Sequence, residues 1–201
     1  MRKAVLITGA GSGIGAACVK KFSEQGYFVF LLGRDRTKLE SVAETCQFGA
    51  SILKCDLTNE SEIQKAIKHC HERPDVGLIA LVNNAGIFEQ KSFLQCAPDD
   101  WLNMFQCNFF GTMRLTQGLL PLFLKKGKGS VVNVSSTLGI KPTAGTVLYS
   151  ASKAAINSWT QSLALEMWGK NIRINCVCPG IVDTPIHAFH RQRTDEKNRS
   201  L

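Results

Sequence analysis

Tyr149 and Lys153 stand four residues apart in YSASK (149 to 153), where the pattern turns helical. Side chains at that spacing share one helical face, so a phenol and an ammonium can act on one small molecule. The chemistry they offer is proton transfer: an ammonium favours the phenolate and draws the pKa of a tyrosine, about 10 in isolation, down toward neutrality. A single Tyr-x-x-x-Lys spacing is weak alone. The rest of the chain decides whether it is chemistry.

A second chemical signal lies at the N-terminal end. KAVLIT (3 to 8) reads as a strand and runs into TGAGSGIGAA (8 to 17), where a helix begins. Gly11, Gly13 and Ala16 keep the G-x-G-x-x-G/A spacing, in which bare backbone turns tightly and approaches a pyrophosphate at a helix N-terminus. The candidate cradle is Gly9, Gly11, Ser12, Gly13, Ile14 and Gly15. The second strand ends in Gly33 and Arg34, where a carboxylate would ordinarily hold the ribose 2'-hydroxyl of NAD. A guanidinium there suits a 2'-phosphate, so NADP is expected over NAD; the alternative is a solvated arginine beside Asp35.

Six β-rich runs alternate with five helical patterns. The strands are expected at 3 to 8, 27 to 33, 51 to 56, 78 to 83, 130 to 135 and 172 to 177, and the helices at 13 to 25, 36 to 47, 59 to 72, 99 to 125 and 150 to 168, with Asn59 and Ser61 before the third and Pro98-Asp99 opening the fourth. Such alternation predicts an α/β fold, a doubly wound parallel sheet with helices on both faces. Several strands are continuous apolar runs, as strands buried on both faces must be.

A length of 201 residues with 44% hydrophobic content provides one sizeable core, hence one expected domain. MRKAVLITGAG reaches glycine too early for a secretory signal, and no apolar run spans a bilayer, so a soluble protein is expected. The eight cysteines lie scattered through apolar or helical segments, with no Cys-x-x-Cys pair and no zinc spacing. They read as reduced packing thiols, and a cytoplasmic location follows. The net charge of +8 is dispersed apart from KKGKG (125 to 129) and the tail from His187, so a solvated surface and no nucleic-acid partner are expected, with nucleic-acid binding through the basic tail as a third reading.

Taken together, TGAGSGIG (8 to 15), NNAG (83 to 86), Asn108 in CNFFG, VNVSSTLG (132 to 139), YSASK and PGIVDT (179 to 184) resemble the short-chain dehydrogenase/reductase family in its compact, single-domain branch. The resemblance spans nearly the whole chain. It implies a Rossmann-like domain and hydride transfer between nicotinamide and a ketone, an aldehyde or a secondary alcohol. It selects Ser136 over Ser135 as the catalytic serine, three residues before Gly139, beside Tyr149 and Lys153. It further implies that Asn108 anchors a water linked to Lys153, that Asp56 meets the adenine, and that Asn84, Ala85 and Gly86 line the cofactor. Pro179, Gly180 and Thr184 would border the nicotinamide. Two alternatives stay open: Asn108 as the brace of a helix kink, and Asp56 as a cap before the third helix.

The resemblance also implies a homodimer or homotetramer formed through the fourth and fifth helices. A substrate lid or flexible tail would begin at 184, least ordered from about Ile186. The family's seventh strand has no counterpart here, which leaves IRINCV (172 to 177) at a sheet edge and makes a natural chain longer than 201 residues the expectation. The principal expectation is thus an NADP-dependent oxidoreductase with Tyr149 as acid and base. The alternative is a binding protein that senses NADP(H) without turnover. Substrate identity is not legible, because loops after the fourth, fifth and sixth strands line the pocket.

Overall fold

The computed structural model describes residues 1–187. Its six strands are β1 (Arg2–Thr8), β2 (Phe28–Gly33), β3 (Ala50–Lys54), β4 (Val76–Asn83), β5 (Gly129–Val134) and β6 (Ile172–Val177). All pair in parallel in the order β3-β2-β1-β4-β5-β6. The order reverses direction between β1 and β4, so the C-terminal ends of these two neighbours diverge into a crevice, the place where open α/β sheets bind ligands.

Six helices cover the sheet: α1 (Gly13–Glu24), α2 (Arg36–Ala43), α3 (Glu60–His71), α4 (Pro98–Phe105), α5 (Gly111–Lys126) and α6 (Val147–Glu166). Alternate residues of β1 and β2 point to opposite faces, and both sets are apolar. Leu6, Phe30 and Leu32 pack with Ile63 of α3 and with Leu115, Leu119 and Phe123 of α5 on one face. Val5, Ile7, Val29 and Leu31 pack with Val19 of α1 and Leu39 of α2 on the other. Each Leu, Ile, Val or Phe so buried contributes ~1.5–3 kcal/mol, enough to override the weak local preferences of its helix.

Three boundaries differ from the sequence expectation. The second helix stops at Ala43 rather than 47. The last helix starts at Val147, so Tyr149 lies in its first turn. The segment expected as one helix from 99 to 125 divides into α4 and α5 around a π-turn, Gln106–Phe110. A π-turn inserts one extra residue and rotates the chain, and here it turns Cys107 and Asn108 inward. Asn59 caps α3 by accepting from Ser61 and Glu62 N–H, and Pro98 opens α4, as their positions suggested.

All eight cysteines are free thiols, and burial pushes Cys55 and Cys70 up to about 12, which makes them packing groups. Among the described residues no helix is long and apolar enough to cross a membrane, and no cluster has the ligands for a metal. In the described sheet β6 pairs on one side only, with β5. The tail expected from about Ile186 to 201, with its lid, lies almost wholly outside the described residues.

The contact of α1 with the β1 turn depends on Gly15. A methyl group there would collide with the Gly9 carbonyl oxygen and lie 2.7 Å from Asn84 Nδ2. Gly15→Ala should therefore push α1 off the turn, at a cost of ~1–3 kcal/mol, or roughly 2–4 °C of Tm per kcal/mol. Thermal unfolding checks this; an unchanged Tm would show that the turn yields freely.

Candidate active site

Two loops meet over the crevice, held together by Thr8. Its buried hydroxyl accepts the N–H groups of Asn84 and Ala85, both at 2.9 Å, and Asn84 Nδ2 donates back to the Thr8 carbonyl at 3.0 Å. This clamp fixes the loop after β4 against the glycine turn after β1. Gly9 has φ +64°, a left-handed conformation that only glycine adopts cheaply. The first turn of α1 has no acidic residue, and the Ser12 side chain makes no capping bond. Its N–H groups and dipole therefore face the crevice without a resident counter-charge.

The resulting cleft is about 680 Å³ and runs from the glycine turn to α6. Gly9, Ser12, Gly13 and Ile14 form one end, with Asn84, Ala85 and Gly86 along the side. Ser136, Tyr149 and Lys153 form the other end; Pro179 and Gly180 also line the cleft, and Thr184 lies against Gly13 at the first end. Residues from five separate chain segments thus converge. The bare backbone of the cradle, the uncapped helix end and a cleft this long fit a dinucleotide.

Tyr149 and Lys153 share a face of α6, as the spacing predicts, and both are buried. Lys153 Nζ donates to the Val134 carbonyl at 2.9 Å and lies 5.7 Å from the centre of the Tyr149 ring. Burial lowers its pKa to about 8. Phe88 meets the Tyr149 ring edge-to-face, with centroids 4.9 Å apart. The expected downward shift of Tyr149 is not what this protein shows. Burial raises its pKa, and a hydrogen bond with Ser136 lowers it in part. The physical reason is that the ammonium is turned onto a backbone carbonyl, so desolvation of the phenolate outweighs its attraction. Ser136 Oγ also accepts from Leu138 N at 3.1 Å, which fixes the serine on a short turn, Thr137–Gly139.

Five of the expected residues do not line the cleft. Gly15 packs on Gly9, and Gly11 faces Lys38 of α2. Asn108 is buried in the π-turn, where Oδ1 accepts Ile87 N–H at 2.8 Å and Nδ2 donates to the Ile87 carbonyl at 3.0 Å and to Ser152 Oγ at 3.1 Å. It braces the loop after β4 as a kink residue would. It also approaches Lys153: a methyl group on Gly86 would lie 3.2 Å from Asn108 Oδ1 and 3.4 Å from Lys153 Nζ. Asp56 Oδ1 accepts from Thr58 N and Oγ1 at 2.9 and 2.8 Å, so it closes the turn leading to α3. Arg34 is exposed at the end of β2 and joins no ion pair among the described residues, whereas Asp35 is taken up by Lys38. Burial raises the pKa of the Cys107 thiol; the charge of Arg34 lowers it in part and that of Asp56 raises it further.

Phe88, Gln90, Lys141, Thr143 and Thr146 also line the cleft without having been singled out in the sequence. They sit on connecting loops, whose residue types follow no spacing rule; only the nearness of Lys141, Thr143 and Thr146 to Ser136 and Tyr149, and of Phe88 and Gln90 to Gly86, in the chain hinted at them.

Over residues 3–195 the chain matches the family model for short chain dehydrogenases. It is 34% identical to an uncharacterized oxidoreductase of Staphylococcus aureus over 196 residues, 97% of this chain and 84% of that protein. Among solved structures it resembles an actinorhodin polyketide ketoreductase variant with NADPH, at TM-score 0.87 and 32% identity over 96% of this chain and 75% of the other. It also resembles the 3-ketoacyl-(acyl-carrier-protein) reductase of Brucella melitensis complexed with NADH, at TM-score 0.86 and 29% identity over 92% and 78%. The chain belongs to the short-chain dehydrogenase family, NAD(P)-dependent oxidoreductases that act on carbonyl or alcohol groups.

Proposed function

We propose that the protein is an NADP-dependent reductase of ketones or aldehydes, reversible toward secondary alcohols, with Tyr149 as its acid and base. The observation that carries this reading is the meeting of Ser136, Tyr149 and Lys153 at one end of a cleft whose other end is a glycine cradle. Bound nicotinamide supplies or accepts the hydride.

The chain's own residues handle the oxygen. In reduction, negative charge grows on the substrate oxygen, and the Tyr149 hydroxyl gives it a proton. Ser136 donates a hydrogen bond to the same oxygen from a turn that is already fixed, as a preorganised donor should. Lys153 stabilises the phenolate left behind. Its ammonium donates to the Val134 carbonyl and lies 5.7 Å from the centre of the Tyr149 ring, near enough to favour the phenolate. Phe88 and the buried ring of Tyr149 keep water from the reacting end. Asn108 would hold the loop and Lys153 in register from below Gly86, and Asp56 would border the adenine through the turn it closes.

The cofactor assignment rests on Arg34. No carboxylate stands at the end of β2 to repel a phosphate except Asp35, which caps α2 and pairs with Lys38. One relative's structure holds NADPH and another NADH, so the choice lies in this chain's own residues. Arg34→Ala should weaken NADPH about 10- to 100-fold, the worth of a charge-assisted hydrogen bond to phosphate, and NADH by much less. Titration of both cofactors checks it; equal losses would remove Arg34 as the selector. The overall reading is tested by loss of the reduced-nicotinamide absorbance with a panel of carbonyl compounds. No turnover of any of them with either cofactor would overturn it.

A further inference from the structure

We infer that the cleft takes carbonyl compounds bearing an anionic group, a carboxylate or a phosphate ester, and that Lys141 engages that group. The inference rests on the carbonyl-reducing reading of the cleft. Only two charged side chains line the cleft among the described residues, Lys141 and Lys153, and no carboxylate does. A cleft with one sign of charge and low-dielectric walls concentrates ligands of the other sign.

The two lysines are not equivalent. Lys153 is buried and bonded to the Val134 carbonyl. Lys141 is exposed at the substrate end and joins no ion pair among the described residues. Its backbone N–H donates to the Thr137 carbonyl at 2.8 Å, so it stands on the same turn that fixes Ser136. An anion held there is therefore indexed to the residue that meets the carbonyl oxygen. The opposite wall offers no competing cation: Lys91, on the loop after β4, is tied to Asp100 at 2.6 Å. That loop is itself fixed, because Lys91 N–H donates to the Gly145 carbonyl at 2.8 Å. It presents Gln90 to the cleft, a neutral donor that would share the anion with Lys141. The pyrophosphate of a cofactor would lie at the far end, against Gly9 to Ile14, which leaves Lys141 for the substrate.

The test compares three ketones of matched size with NADPH: a keto acid, its neutral ester and a phosphorylated ketone. Wild type should favour both anions over the ester, and Lys141→Gln should lower the anion-to-ester ratio of kcat/KM roughly tenfold, with Lys141→Glu reversing it. The keto acid and the phosphorylated ketone separately show which anion is preferred, and a preference for either supports the inference. Turnover of the ester with a ratio unmoved by both variants overturns this inference and leaves the carbonyl-reducing reading standing. A rise in the KM for NADPH that matches the lost ratio would assign Lys141 to the cofactor and also overturn it. Loss of turnover across the whole panel in wild type would overturn both.

Discussion

Tyr149→Phe will lower kcat for carbonyl reduction by about 10²- to 10⁴-fold, the range expected when a positioned acid is removed, and will leave NADPH binding nearly intact. The change deletes one oxygen and little else. The Phe88 ring keeps its edge-to-face partner, and the side chain remains a buried aromatic in the first turn of α6. Cofactor contacts along the glycine turn are remote from it. The loss therefore belongs to the proton transfer. Initial rates under saturating cofactor, paired with a binding titration, separate the two. A variant within a few fold of wild-type kcat would place the acid elsewhere.

The pH behaviour of Tyr149 follows from its surroundings. Burial holds its pKa above the ordinary tyrosine value, with Ser136 pulling part of the way back. In nucleotide-free protein the proton is therefore present throughout the neutral range, ready for reduction. Oxidation needs the phenolate, whose charge the nearby Lys153 ammonium would offset.

The fold was legible because its signals are local and repeated. Continuous apolar strands such as Val29 to Leu32, with glycine at the first βα turn, leave few arrangements besides a doubly wound sheet. Caps such as Asn59 and the Pro98 start were legible for the same reason. The π-turn at 106–110 was not. Asn108 within it is bonded to Ile87, a contact between residues 21 apart in the chain that no helical periodicity can report. The direction of the Tyr149 shift was missed for a related reason. Spacing puts an ammonium near a phenol, but only packing shows that the ammonium faces Val134 and that the phenol has lost its water. Motif residues around the cleft were found by type, whereas Lys141 and Gln90 gain their role from two loops meeting in space.

Lys153→Met will cost the enzyme its turnover yet reveal a stability penalty that the wild type carries below pH 8. Lys153 is 4% exposed, and burial lowers its pKa from the ordinary 10.5 to about 8. Between those values the unfolded chain binds the proton and the folded chain does not. Wild-type stability therefore rises with pH across that window, and the full penalty applies below about 8. The gap corresponds to roughly 3 kcal/mol, of which about 2 kcal/mol is relieved between pH 7.5 and 9.5. Methionine fills much of the same volume without a charge, at the cost of leaving the Val134 carbonyl without its donor, ~1 kcal/mol or more. The sharper readout is therefore the pH dependence. In nucleotide-free protein, wild-type stability should gain about 2 kcal/mol on the variant from pH 7.5 to 9.5, or roughly 4–8 °C of Tm. Titration of groups common to both proteins cancels in the difference. Urea unfolding at a series of pH values measures it, and parallel curves would show that Lys153 keeps its ordinary pKa in the fold. A gain of the predicted sign would mean that the fold tolerates a destabilising ammonium at the one place where the proposed chemistry needs a cation, a site where stability and function are opposed.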